Sequence, residues 1–311
     1  MNLSRMTVMT MRVARATLSC LALGSAPLVA QAPGSDVYLA RITISERGAT
    51  GIRIGKPVNI THRRGYDNQP AFMADERAVF YTSTRGDGQS DIYRYDIANH
   101  QTKRATTTTE SEYSATLVPG ANRFSVVRVE PDSTQRLWSF ALDGSDPRLV
   151  LRTIKPVGYH AWLDSSHVAL FVLGRPATLQ VVELGTERAD TVARDIGRSL
   201  SVAGARSVSF VQRTADSTFT LNRVELDSAS GRSKIQVGIA SLPAGAEYVV
   251  WTRQGMALTA SGSKVFALQP GSVDTPWALV ADFSTRGITR MSRLAISPNG
   301  HWLAFVADDG R

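Results

Sequence analysis

Tyrosines with acidic or polar neighbours recur along this 311-residue chain, as Tyr66-Asp67-Asn68-Gln69, Glu112-Tyr113, Tyr159-His160 and Glu247-Tyr248. A tyrosine offers an apolar face and a hydroxyl that both donates and accepts, and a neighbouring carboxylate adds a strong acceptor. A set of such pairs suits recognition of a peptide or sugar by packing plus a few directed hydrogen bonds. The candidate binding residues are therefore Tyr66, Asp67, Asn68, Glu112, Tyr113, Tyr159, His160, Glu247 and Tyr248. The competing reading is that these tyrosines are partly buried structural residues, an equally common role for that side chain.

Signals for bond-making chemistry are absent. There is no Gly-x-Ser-x-Gly nucleophile elbow, no Gly-x-x-x-x-Gly-Lys-Ser/Thr loop and no Gly-x-Gly-x-x-Gly turn, so no catalytic residue and no nucleotide cofactor is assigned. The five histidines, His62, His100, His160, His167 and His301, lack the close spacing of a zinc site. His100, His167 and His301 fall in expected turns facing solvent, which leaves His62 and His160 near the starts of strands. Two are fewer than the three or four protein ligands a metal usually takes. Asp87-Gly88-Gln89-Ser90-Asp91 has oxygens in a short loop but too few for calcium, and reads as a turn.

The elements that must position the tyrosines follow from an internal repeat. Alternating β-branched and aromatic runs, separated by Gly, Asp, Asn and Ser turns, return about every 40 to 47 residues. The clearest strand of each period occurs six times, as Ala78-Val79-Phe80-Tyr81, Phe124-Ser125-Val126-Val127, Val168-Ala169-Leu170-Phe171, Val208-Ser209-Phe210-Val211, Met256-Ala257-Leu258 and Leu303-Ala304-Phe305-Val306. Each is preceded by a strand beginning near Pro70, Ser114, His160, Leu200, Tyr248 or Arg293. Third strands centre on Tyr93, Trp138, Val182, Val224 and Phe266, and fourth strands lie near Arg104, Val150, Val192, Gln236 and Leu279.

Those last two sets stop one short, and the missing pair stands at the other end of the chain. Val37–Ile42 supplies a third strand and Pro57–Thr61 a fourth. The expectation is an all-β fold, a six-bladed β-propeller with four strands per blade, whose ring closes when N-terminal strands complete the last blade. The tyrosine pairs then sit where the chain enters each first strand, at one mouth of a central channel. Phe72, Trp162, Trp251 and Trp302 are expected in the core between blades.

Two segments resemble the repeat of TolB-like propellers, a WD40-like class also called PD40, whose blades carry Pro-x-Trp-Ser-Pro-Asp-Gly-Lys-x-Ile-Ala-Phe followed by Ile-Tyr-x-x-Asp. Ser297-Pro298-Asn299-Gly300-His301-Trp302-Leu303-Ala304-Phe305 follows it, as does the run from Pro70 to Tyr81 continuing into Asp91-Ile92-Tyr93-Arg94-Tyr95-Asp96. Blade two keeps Val118-Pro119-Gly120, and the third to fifth keep only the hydrophobic pattern. The resemblance implies the propeller fold and a non-enzymatic role in docking a protein partner. TolB itself carries an α/β domain ahead of its propeller, and here the first strand is expected almost at the start of the mature chain, without that domain. Prolyl-oligopeptidase-type enzymes and some metal-dependent lyases carry similar propellers, so a lyase or hydrolase acting on an envelope glycan in the channel is the alternative.

Residues 1–32 read as a secretory signal peptide, because Arg5, Arg12 and Arg15 precede an apolar run through Leu18, Leu21, Leu23 and Val29, and Ala30 and Ala32 offer cleavage sites. Cys20, the single cysteine, lies inside it, so the mature chain needs no disulfide framework. Residues 33–311 form the expected single propeller domain. Without the leader's three arginines the surplus of basic over acidic side chains falls from eight to five, scattered along the chain, which argues against nucleic acid. The expected setting is the periplasm, with no transmembrane segment in the mature chain, and the expected partners of a monomer are an envelope protein, peptide or glycan.

Overall fold

The computed structural model describes residues 34–308 except 46, 217, 228 and 272–275. The expected signal peptide lies outside the described residues. No described helix is long and apolar enough to cross a membrane.

The chain forms a six-bladed propeller of antiparallel sheets, and blades one to five are each laid down in chain order from the axis outward. The inner strands are Asp67–Phe72, Ser111–Leu117, Val157–Trp162, Ile196–Gly204, Val249–Trp251 and Leu294–Ile296, for blades one to six. Each touches its two neighbours around the axis, so they enclose a continuous channel. Strand side chains point alternately to the two faces of a blade, and both faces must be covered by adjacent blades. Six apolar clusters fill the six seams.

Ring closure follows the expected scheme. In blade six the N-terminal strand Ser35–Ile44 lies third, paired with the C-terminal strand Trp302–Asp308 from Ser35↔Asp308 to Arg41↔Trp302. This pairing removes the free sheet edges that an open ring would expose. The outer edge differs from the expected Pro57–Thr61 strand. It is made of two short pieces, Ile52–Ile54 and Val58–Asn59, both paired with Ser35–Ile44. Pro57 lacks the amide a continuous ladder needs, and Ile52, fully buried against blade five, anchors the first piece.

Turns between inner and second strands use the residues the repeat supplies. Ser297-Pro298-Asn299-Gly300 closes with the Gly300 amide donating to the Ser297 carbonyl at 2.8 Å, and Gly300 has φ +75°. The same turn in blade one places Glu76 at φ +57°, a conformation that costs a non-glycine residue about 1 kcal/mol. Its carboxylate is held by blade six, accepting from the Asn299 amide at 2.5 Å and meeting His301 Nδ1 at 2.7 Å. His301 therefore clasps the closure seam.

Phe72 and Trp162 are buried as expected, whereas Trp251 and Trp302 are only half-buried. Trp302 carries the Arg41 guanidinium 3.7 Å over its ring, which shields its outer face. A shared device ties two seams. The Trp162 indole donates to Ser125 Oγ across blades three and two at 2.9 Å, and the Trp251 indole donates to Ser209 Oγ across blades five and four at 2.7 Å. Replacing Trp162 with phenylalanine is expected to cost about 1–3 kcal/mol, because the seam loses a buried hydrogen bond and some volume. An unchanged urea midpoint would remove that contact from the fold's stability.

Candidate functional site

The channel encloses about 710 Å³, within the range of sites that take small ligands. Inner strands run the same way around it, so one mouth is built from their first residues and the other from their last. Irregularities in the ladders shape the first mouth. Register shifts fall between Asn68 and Ala71, Tyr113 and Thr116, Val157 and Tyr159, and Ile196 and Leu200. Such bulges bend a strand and redirect its side chains.

The structure brings the four tyrosines together. Tyr159 and Tyr248 line the channel. Tyr66 lies close enough to feel the charge of Arg293 and the hydroxyls of Tyr159, Tyr248 and Tyr113. Burial pushes Tyr66 and Tyr248 up to about 12, so both keep their protons at neutral pH.

Two arginines that the sequence reading passed over complete the ring. Arg198, near the start of the blade-four inner strand, and Arg293, one residue before that of blade six, both line the channel. The signal was spacing: Arg293 stands three residues before Ile296, as Tyr159 stands before Trp162 and Tyr248 before Trp251. A search for aromatic and acidic pairs skips the blades where the same position is cationic.

The two arginines differ in state. Arg198 grips Glu247 through both nitrogens of its fork, at 2.7 and 3.1 Å, and its own amide donates to the same carboxylate at 2.9 Å. Burial alone would raise the Glu247 carboxyl, but these bonds and the Arg293 charge hold it below the usual range. Arg293 packs over two tyrosines, 4.7 Å from the Tyr159 ring centre and 4.3 Å from that of Tyr248. It has no carboxylate partner among the described residues. Its backbone is fixed by the closing strand, because its carbonyl accepts the Val306 amide at 2.9 Å.

The remaining candidates do not present themselves at the mouth. Asp67 is fully buried and bound to Arg63 at 2.9 Å, and burial raises its carboxyl despite that partner. Glu112 is fully buried beside Thr108 and Arg128. Asn68 is half-buried, with its side-chain oxygen accepting the Gln69 amide. His160 borders the channel wall, yet its ring is buried against Ser125, with Nε2 2.7 Å from Oγ, and burial lowers it to about 3. A neutral imidazole in that seam is a packing element rather than a rim group, and exposed His62 does not join it. Among the described residues no three His, Cys, Asp or Glu side chains converge as metal ligands.

No protein-family model matches the chain, and no curated protein matches it. Solved structures do. A protein of Agrobacterium tumefaciens provisionally described as TolB superposes with a TM-score of 0.59 at 13% identity, over 89% of this chain and 98% of that one. A gluconolactonase of Xanthomonas campestris gives 0.59 at 11% identity, over 89% and 98%. An oligogalacturonate lyase in complex with manganese gives 0.52 at 13% identity, over 83% and 80%. Proteins with different names, two enzymes among them, share this propeller, and identities this low show the fold alone.

Proposed function

We propose that this chain is an exported, periplasmic binding module of the TolB-like kind, which takes a protein, peptide or envelope polymer at the tyrosine mouth of its channel. The observation that supports the reading best is the group of Tyr66, Tyr159 and Tyr248 with Arg293 held among them and Tyr113 near Tyr66. Such a rim offers aromatic surface, hydroxyls and one cation to an incoming group, the features enriched where proteins hold their partners. The described residues lining the channel include no aspartate or glutamate. A glycan-cleaving channel would need converging acid and base groups, so the lyase or hydrolase reading has less support. Export rests on the arginine-led apolar leader of the sequence.

The test is a pull-down of residues 33–311 from envelope extract, with mass spectrometry of bound proteins and glycans and a Tyr159→Ala/Tyr248→Ala variant beside it. A partner retained by the parent and lost from the variant, both folded by circular dichroism, is the expected result. Glycan fragments released into solution with nothing retained would instead favour the enzyme.

A further inference from the structure

We propose that Arg293, with Tyr66, Tyr159 and Tyr248 near it, binds a single carboxylate, the free C-terminus of a peptide whose last residues run down the channel. The inference rests on the reading of this mouth as a binding face, and it specifies what is bound there. Of the two arginines in the ring, Arg198 already has a carboxylate in Glu247. Arg293 is held in place by its tyrosine contacts and by the closing strand, yet no protein carboxylate uses its fork among the described residues. A guanidinium so positioned matches the two oxygens of a carboxylate. No protein acceptor for the hydroxyls of Tyr66, Tyr113, Tyr159 or Tyr248 is found among the described residues, and a carboxylate can accept from hydroxyls as well as from the fork. The retained protons of Tyr66 and Tyr248 keep those two as donors at neutral pH.

The wall below the ring selects among carboxylates. It includes Phe72, Leu117, Ala161, Val250, Ala295 and Ile296, an apolar surface suited to side chains. A polyuronate brings one carboxylate per sugar and would need a cation for each. Beyond Arg293 and the neutralised Arg198, the described lining offers only Arg253 at the far mouth. One cation above an apolar shaft fits one terminal carboxylate above apolar side chains. An inner strand of six residues such as Asp67–Phe72 spans roughly 20 Å, a depth that admits a few extended residues and excludes a folded domain.

The experiment uses residues 33–311 immobilised and exposed to a randomised tetrapeptide library with free C-termini, to the same library amidated, and to a galacturonate trimer, with bound species identified by mass spectrometry. Peptides recovered from the acid library are then titrated by calorimetry. The expected result is enrichment of acids with apolar last residues, little recovery of amides, and binding weakened about thirtyfold or more by Arg293→Gln. Tyr248→Phe should weaken it about three- to tenfold, and Arg188→Gln on the exposed outer strand of blade three should leave it unchanged. Should Arg293→Gln fail to fold, the comparison of acid with amide on the parent protein still decides. Equal recovery of acids and amides, no peptide recovery, or retention of the galacturonate alone would overturn the proposal. If any of these occurs while the envelope pull-down still yields a partner lost with Tyr159→Ala/Tyr248→Ala, the binding face stands and only its carboxylate specificity falls.

Discussion

Phe305→Ala is expected to cost about 3–5 kcal/mol, enough to threaten a domain whose net stability is of that same order. Phe305 is fully buried in the closing strand. Its ring stacks on Tyr38 of the N-terminal strand, centroids 5.3 Å apart at 4°, and on Phe283 after the outer strand of blade five at 5.7 Å and 10°. Removing it opens a cavity where two different jobs meet: the pairing of chain ends within blade six, and the seam between blades five and six. Urea denaturation reads the loss directly, and Phe305→Leu should recover much of it by refilling the space. Because Leu294 pairs opposite Phe305 and Arg293 is bonded to Val306, the same substitution should also loosen the channel mouth. A wild-type urea midpoint for Phe305→Ala would show that closure does not depend on this stack.

The second large effect is a dependence of stability on pH that runs opposite to ordinary acid denaturation. Glu112 has no exposed surface, and its carboxyl is raised from 4.5 to about 7, chiefly by burial. The hydroxyls of Thr108 and Thr106 and the Arg128 guanidinium 3.6 Å away offset part of that rise, while the charge of Asp91 adds to it. The folded state thus keeps a proton that the unfolded chain releases near pH 4.5. The stabilisation from this group is complete below that pH and is lost as the pH rises to about 7, amounting to up to about 3 kcal/mol. Glutamine mimics the protonated form, so Glu112→Gln should match the parent at pH 4 and exceed it at pH 8. Carboxylates held low by partners, such as Glu187 and Asp164, act with the opposite sign, which is why the difference between the two proteins is the quantity to follow. Parallel stability curves for the two across pH 4–8 would mean that Glu112 is charged in the fold.

These effects bear on the channel through shared strands. Glu112 adjoins Tyr113 at the start of the blade-two inner strand, and the Gln69 side chain of blade one accepts from the Ser114 amide at 2.9 Å. Buried polar groups beneath the mouth therefore set the backbone that carries its tyrosines.

The linear chain determined the blade count, the strands within each blade and the closure of its two ends. Alternation of apolar residues and turn residues such as Pro298-Asn299-Gly300 are local signals, and a repeated local signal counts itself. It also marked the tyrosines, because Tyr66, Tyr113, Tyr159 and Tyr248 stand at nearly the same point of the repeat. Tertiary structure decided the rest. Whether Glu112 and His160 meet a ligand or a seam depends on which face of a strand a neighbouring blade covers, and bulges of one or two residues change that face. Arg198 and Arg293 share the repeat position of Tyr159 and Tyr248, yet one is neutralised by Glu247 from the next blade and the other is not. That difference lies in distances between residues far apart in the chain, which only the closed ring brings into contact.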